Sequence, residues 1–388
     1  MPVLNITRST LIRRTPRVVQ LEGLFDVPPL RRSEITWQAN LPIEERAWQI
    51  GLIVGPSGCG KTTLALELFG ENIEPGFDWP PDRAIVDGFP ADMSMKEITL
   101  LLSSVGFSSP PSWLRPFGVL SNGEQFRATI ARALAEQPEL VVIDEFTSVV
   151  DRTVAQVGSA AIAKTIRRRV GQRLVAVTCH YDVAEWLDPD WIYEPATDHF
   201  QWRLERRGRP PISLELARVR PSAWRLFRNH HYLSANLNRS AVCFCAFLDG
   251  RPAAFSAWLP FLGRLRGKQR ARRNHRTVCV PDFQGVGIGQ ALVDFSASLW
   301  TGLGYRAFSA SSHPGEIAAK NRSPYWRLLR APSRAARSGD GNLRQLARTR
   351  ATNRLTASFE YVGQKLDPHI ARRLHGSKVQ APDSKVET

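Results

Sequence analysis

The chain reads as two consecutive α/β domains. Two observations predict this class. Two apolar runs each enter a glycine-rich turn and leave it as a helix, and the charge changes abruptly near residue 205. A strand that ends in such a turn aims successive backbone N–H groups, and the positive end of the following helix dipole, at one point. Both junctions are therefore suited to anions. Residues 1–205 carry 20 Lys+Arg against 26 Asp+Glu, whereas residues 206–388 carry 32 against 10. A mildly acidic half joined to a strongly basic one places a boundary near 205 and a polyanionic partner on the second half.

The elements follow in order. Gln49–Val54 predicts a strand, Gly55–Gly60 a turn and the following TTLALELF a helix. Strand-like runs recur at Arg83–Val86, Leu140–Ile143 and Leu174–Thr178 with helical patterns between them, which predicts a largely parallel sheet. Arg206–Pro211, charged and carrying two prolines, predicts the linker. Beyond it, two strands meet at Asp249-Gly250, a hairpin signal, and Cys243 and Cys245 alternate on one face as core residues. Arg276–Phe283 is strand-like and enters the turn Gln284–Gly289, which opens a helix; Asn321–Trp326 is expected on a later helix, and 367–388 as a polar tail. No apolar stretch approaches the roughly 18–20 residues of a membrane helix, and the N-terminus lacks the apolar segment of a secretory signal. Five scattered cysteines without a CxxC pair read as reduced thiols, so a cytoplasmic chain with no membrane span is expected.

Gly55-Pro56-Ser57-Gly58-Cys59-Gly60-Lys61-Thr62 fits the phosphate-binding pattern GxxxxGK[ST], with Thr63 continuing the helix. The glycines let backbone N–H groups face phosphate oxygens, Lys61 is placed for the β- and γ-phosphates, and Thr62 offers a hydroxyl to Mg²⁺. The strand Leu140–Ile143 ends in Asp144-Glu145. Asp144 is placed to hold Mg²⁺ through water and Glu145 to polarise an attacking water; the same pair would also suit a helix N-cap.

Leu120-Ser121-Asn122-Gly123-Glu124 resembles the LSGGQ signature of ABC-type ATPases, with Asn122 and Glu124 replacing Gly and Gln. Arg127 and Ile130–Leu134 continue the match, Ser148–Asp151 resembles the D-loop, and His180 the switch histidine. Glu at the last signature position is similar to the non-transporter branch. The resemblance implies ATP and Mg²⁺ as cofactors, with Gly55, Ser57, Gly58, Gly60, Lys61, Thr62, Thr63 and Asp144 binding the nucleotide. It implies catalysis by Glu145 and His180. It also implies a homodimer in which Ser121 and Gly123 of one copy meet the γ-phosphate held by the other. The stretch Ile85–Pro90 departs from the family by lacking a Gln, with Asp87 as the available substitute; the short run from Lys61 to Ser121 implies a reduced helical subdomain. Phe25 and Trp37 are the candidates for stacking on adenine.

In the second half, Gln284-Gly285-Val286-Gly287-Ile288-Gly289 resembles the Q/R-x-x-G-x-G/A element with which GNAT acetyltransferases cradle acetyl-CoA. A dinucleotide fingerprint or a plain tight turn are competing readings of GxGxG. The resemblance implies roles for Asn321 and for Tyr325, the latter as proton donor to the departing thiolate. The Glu that such enzymes often use as base is missing from the 272–280 strand, which leaves His275, His231, Tyr232 and His313 as substitute bases, and Tyr232 as a catalytic candidate. Ser311–Ser323 concentrates polar groups for an acceptor. The fold class implied is α/β, an ABC-type P-loop NTPase domain (1–205, core about 20–205), the linker, and a GNAT-like acyltransferase domain with a mixed sheet (212–366). His231–Ser234 and the SSHP segment are also similar to Mom-type phage DNA-modification proteins.

The positive charge concentrates in Arg264–Arg276, Arg327–Arg354 and Arg372-Arg373, and Arg outnumbers Lys there, which suits bidentate contacts with phosphate. Nucleic acid is the expected partner, bound electrostatically, since no helix-turn-helix or zinc-finger pattern offers base readout. Two alternatives stay open. The second half is a GNAT fold retained for binding alone, or an acetyltransferase for a protein or small amine.

Overall fold

The computed structural model describes residues 3–74, 76–203, 212–231, 236–261, 269–333 and 355–376. The expected linker, Tyr232, much of the two long arginine runs and the end of the expected tail lie outside the described residues. The chain forms two compact units that no single cut separates: Met1–Phe77, Gln137–Val149 and Ile166–Arg209 in the first, and Asp78–Glu136, Val150–Thr165 and Pro210–Thr388 in the second.

In the first unit, β1 (Val3–Leu11) and β2 (Arg32–Asn40) pair antiparallel on either side of α1 (Pro16–Phe25). Then come β3 (Ile50–Val54), α2 (Lys61–Phe69), β4 (Leu140–Ile143), β5 (Arg173–Thr178), the short helix α7 (Val183–Leu187), β6 (Trp191–Glu194) and β7 (His199–Trp202). The sheet order is β4-β5-β3-β6-β7, parallel except for the β6/β7 pair. Strands β3 and β4 are buried throughout, as parallel strands covered on both faces require. Gly51 in β3 has a steric purpose: a Cβ there would fall 2.0 Å from Cζ2 of the buried Trp191. The expected strand at Arg83–Val86 is a correction. Ile85–Gly88 is a 3₁₀ turn in the second unit, bracketed by Pro80, Pro81 and Pro90, and the Ile85 amide donates to the Arg115 carbonyl rather than to a ladder.

The second unit opens with the helices α3 (Met95–Ser104), α4 (Pro110–Trp113), α5 (Asn122–Glu136) and α6 (Arg152–Ile166). A seven-stranded sheet follows, built from β8 (Glu215–Val219), β9 (Val242–Leu248), β10 (Arg251–Pro260), β11 (Ala271–Cys279), β12 (Arg306–Ser311), β13 (Trp326–Ser333) and β14 (Thr356–Tyr361). Its order is β13-β14-β12-β11-β10-β9-β8, mixed because β11 and β12 run parallel. One face packs Phe244, Trp258 and Phe359 under α8 (Ile288–Gly302), and Val157 of α6 joins that core; the other packs Cys243, Cys245, Phe255 and Val278 with Trp224 and Phe227. The β9/β10 hairpin turns through Asp249 and Gly250, both at positive φ, as a two-residue turn of type I′ demands.

Two expectations in this half are corrected. Helix α9 (Pro314–Arg322) ends before Pro324, so Tyr325 stands in the turn that leads into β13 rather than on a helix. The polar tail is helical at its start: α10 (Pro368–Gly376) buries Ala371, and Leu366 and Leu374 pack against the core beneath α8. No helix among the described residues is long and apolar enough to cross a membrane.

Candidate functional site

The first unit gathers its predicted residues at the carboxyl ends of three adjacent parallel strands, where open α/β sheets form ligand crevices. The turn after β3 carries Gly55–Gly60, the turn after β4 carries Asp144 and Glu145, and His180 follows β5. The ends are tied together by backbone bonds, from the Gly55 amide to the Thr178 carbonyl (3.3 Å) and from the Phe146 amide to the Val177 carbonyl (2.8 Å). Gly58 (φ 81°) and Gly60 (φ 94°) hold the left-handed conformation that bends the loop around its own amides. Helix α2 starts at Lys61 with no side-chain cap, so its first N–H groups stay available to an anion. Lys61 is buried, and its Nζ donates to the Pro56 carbonyl at 2.9 Å inside the loop. Ser57 and Thr62 are exposed and Thr63 is half-buried.

Trp37, one of the two aromatic candidates, lies against this loop: a Cβ on Gly60 would stand 2.3 Å from its Nε1. Phe25 is 71% exposed at the end of α1, a helix with no buried residues. Asp144 Oδ1 accepts the Glu145 amide at 2.8 Å, which orients the carboxylate beside the turn. Glu145 (φ 50°) and Thr147 (φ 68°) are both left-handed without being glycine, an arrangement of backbone strain that concentrates at functional turns. His180 is half-buried, its amide donating to Thr178 Oγ1 at 3.2 Å. Glycine-shaped amides, a buried ammonium, the Thr62 hydroxyl and the Asp144 carboxylate form a donor set that fits a polyphosphate and a hard divalent cation.

The second unit holds the signature segment and the second glycine turn together. Ser121 and Glu124 form a reciprocal capping box at the start of α5: the Glu124 amide donates to Ser121 Oγ (3.3 Å) and the Ser121 amide to Glu124 Oε2 (3.1 Å). Ser112 Oγ donates to Glu124 Oε1 at 2.7 Å. The S-x-x-E spacing forms this cap, so the Glu at this position has a local structural reason. One turn on, the fully buried Arg127 donates to the carbonyls of Pro281 (3.0 Å) and Asp282 (2.9 Å), just before the second glycine turn. Burial pushes the Asp282 carboxyl above the usual carboxylate range, although Arg127 works in the opposite direction.

In that turn, Gly285 (φ 94°) and Gly287 (φ 98°) are left-handed and α8 begins at Ile288 with no side-chain cap. Gly287 is exposed, with space where a Cβ would point; Val286 and Gly289 are half-buried. The Gln284 side chain is taken up internally: its Oε1 accepts from the Ser108 amide, and its Nε2 donates to the Cys279 carbonyl at 2.8 Å. The loop's backbone amides, rather than this side chain, fit an anion such as a pyrophosphate.

Strand β11 enters the turn with two peculiarities. It pairs with β12 only at Ala271–Arg273 against Arg306–Phe308, while its remainder pairs with β10 alone. Asn274 and Arg276 oppose consecutive residues of β10, so His275 is the extra residue of a β-bulge, a device that re-aims side chains. Burial, with Arg276 and Arg273 adding to it, pushes the His275 imidazole down to about 4. At the end of β12, Ser311 Oγ donates to Glu316 Oε2 at 2.5 Å, the fully buried Lys320 pairs with the same carboxylate, and His313 packs 6.0 Å from Trp113. Sequence reasoning marked this segment as polar without seeing that Glu316 links Ser311 to Lys320. Asn321 is exposed on the last turn of α9, and the exposed Tyr325 ring lies 6.5 Å from Tyr361. His231 is buried edge-on against Trp224.

No protein-family model matches the chain. The chain is 30% identical, over 194 residues, to the aliphatic sulfonates import ATP-binding protein SsuB 2 of Paracoccus denitrificans, a match covering 44% of this chain and 74% of that protein. It is 31% identical over 171 residues to the zinc import ATP-binding protein ZnuC of Cereibacter sphaeroides, covering 38% and 67%. A solved dimeric ATP-binding cassette in a post-hydrolysis state with ADP and Pi shares 19% identity over 45% of this chain and 93% of its own, with a TM-score of 0.35. With the phosphate loop, the Asp144-Glu145 pair and the signature segment in place, the chain belongs to the family of ABC-type ATP-binding proteins.

Proposed function

We propose that the chain is an ATP-hydrolysing ABC-type ATPase fused to a GNAT-like, acyl-CoA-dependent N-acyltransferase that acts on or near nucleic acid. The observation that carries the second half is the junction at the end of β11. An uncapped helix follows two left-handed glycines where a bulged strand and its parallel neighbour stop pairing after three residues. Two strands that part in this way would leave room beside an anion-binding turn for a thioester on a long pyrophosphate-bearing carrier.

In this reading Lys61, Thr62 and Asp144 hold ATP and Mg²⁺, Glu145 orients the attacking water, and His180 faces the γ-phosphate side. Two copies close on two nucleotides through Ser121 and Gly123. In the acyl transfer, the acceptor's amine nitrogen attacks the thioester carbonyl, the C–S bond breaks, and the amine proton leaves to a base. His275, held neutral by partial burial on the bulge and by the neighbouring Arg276 and Arg273, is the base candidate on the strand itself. The departing thiolate takes its proton from Tyr325. The excess of arginine over acids in residues 206–388 serves the phosphates of the acceptor.

Incubation of the protein with Mg-ATP, labelled acetyl-CoA and DNA or RNA, followed by mass spectrometry of the nucleosides, tests this reading. An acylated nucleoside that disappears in Gly287→Asp is expected; no modified base under any condition sinks the acceptor assignment. The names of the similar proteins favour a second reading, an import ATPase subunit. That reading predicts co-purification with a membrane-embedded partner from the native cell.

A further inference from the structure

Arg127 sits at an unusual crossing. It lies on the helix that begins with the signature segment, and it is fully buried with no carboxylate in its first hydrogen-bond contacts. Both terminal nitrogens are used on two consecutive backbone carbonyls, those of Pro281 and Asp282, immediately before the glycine turn Gln284–Gly289. Burying a guanidinium is costly, and burial does lower its proton affinity. A surface ion pair or an apolar side chain would stabilise the helix without that cost.

The crossing is reinforced at three further points. The Ser108 amide donates to Gln284 Oε1. Gly106 (φ 90°) and Gly285 (φ 94°) touch so closely that a Cβ on Gly285 would stand 2.5 Å from Gly106 Cα, and one on Gly106 2.8 Å from the Gln284 carbonyl. Gly123 of the signature faces Asp282, whose Oδ1 would lie 3.3 Å from a Cβ at that position. The Gly106/Gly285 contact between backbones is not compressible and fixes the turn on one side, so a shift of α5 reaches the turn through the Arg127 fork on the other.

We infer that Arg127 is a positioning residue that couples nucleotide state at the signature segment to the anion-binding competence of the turn 281–289. The coupling rests on the ATP and acyl-CoA readings of the two sites, and it deepens them: occupancy at one is linked to affinity at the other. Linkage is reciprocal, so the factor by which ATP changes the affinity for CoA equals the factor by which CoA changes the affinity for ATP.

The test uses the full chain with Glu145→Gln to hold ATP without turnover. Hydrogen–deuterium exchange of the 281–289 peptide and the Kd for CoA are measured with and without Mg-ATP. ATP is expected to change the exchange of that peptide and to shift the CoA Kd by about 5-fold or more. Arg127→Lys keeps the charge but not the two-carbonyl fork, and is expected to abolish both responses while ATP still binds. Gly106→Ala, which perturbs the same turn at Gln284 and Gly285, serves where Arg127→Lys does not fold. ATP binding that leaves the exchange and the CoA Kd unchanged overturns the coupling. So does Arg127→Lys behaving as the parent. An exchange response without any CoA binding supports the coupling and removes the acyl-CoA reading instead.

Discussion

Ser148 Oγ donates to Glu145 Oε2 at 2.5 Å, so the carboxylate after β4 is held by the residue that opens the next loop. Glu145 itself is exposed and left-handed, which turns the side chain out of the strand end. Glu145→Gln keeps the shape and removes the base that the proposed ATPase reading assigns to this position. Nucleotide binding is expected to be retained while phosphate release falls by about 100-fold or more. Ser148→Ala, which only frees the carboxylate, is expected to lower the rate by much less; equal losses in the two variants would show that orientation, not basicity, is the contribution of Glu145.

Gly60 and Gly287 allow a controlled comparison of two glycines at the same φ. Each begins a helix from a left-handed conformation, so alanine adds about 1–2 kcal/mol of backbone strain at either. At Gly60 the new Cβ also meets Trp37, whereas at Gly287 it points into open space. Gly60→Ala is expected to weaken ATP binding at least 10-fold by displacing Trp37 and the loop, and Gly60→Ala with Trp37→Ala to recover part of it. Fluorescent-nucleotide titration reads both. No recovery would mean that Trp37 does not brace the loop.

Asp282 offers a stability test of opposite sign to the usual one. Its carboxyl is raised in the fold by burial, with Arg127 only partly compensating. A raised acid favours the folded state below the unfolded pKa and loses that advantage as pH rises through the folded value. Asp282→Asn is therefore expected to raise Tm at pH 7–8, by about 2–4 °C for each kcal/mol gained, with the gain vanishing near pH 4. A lower Tm at pH 8 would show that its charge is needed beside Arg127.

The glycine turn after β3 and the Asp144-Glu145 turn were legible because they are contiguous motifs whose element context follows from local pattern: an apolar run, a turn, a helix. The same holds for the Asp249-Gly250 hairpin. What the sequence concealed depends on chain segments far apart. The pairing of Arg127 with the Pro281 and Asp282 carbonyls uses backbone acceptors, which no residue type announces. Ile85–Gly88 escaped because its apolar content suggested a strand while the flanking prolines decided against one. The bulge at His275 is a register property, invisible until β10 and β11 are aligned.

Lys320 is fully buried and pairs with Glu316, its ammonium 5.2 Å over the Trp326 ring. Among the described residues, Lys320→Ala leaves the carboxylate with Ser311 as its hydrogen-bond donor and is expected to cost about 3–5 kcal/mol. Lys320→Met with Glu316→Gln removes both charges and keeps the volume, and is expected to cost far less. Denaturant melts of the single and double variants measure the difference; equal losses would mean that packing against Trp326, not charge pairing, fixes α9.

Acid sensitivity follows from the histidines of the second unit. Burial lowers His230, His275, His313 and His375 alike, with His275 down to about 4. The unfolded chain takes up protons near pH 6.5 that the folded chain refuses, so the stabilisation is complete above that pH. It is lost as pH falls from 6.5 toward 4. Tm is expected to drop steadily across that window, and His275→Gln to flatten the drop more than His375→Gln, since the bulged strand holds the most strongly shifted imidazole. An unchanged slope in His275→Gln would show that His275 takes up its proton without disturbing β11. In that case the bulge would tolerate an imidazolium between Arg273 and Arg276, and His275 would be unsuited to the base role.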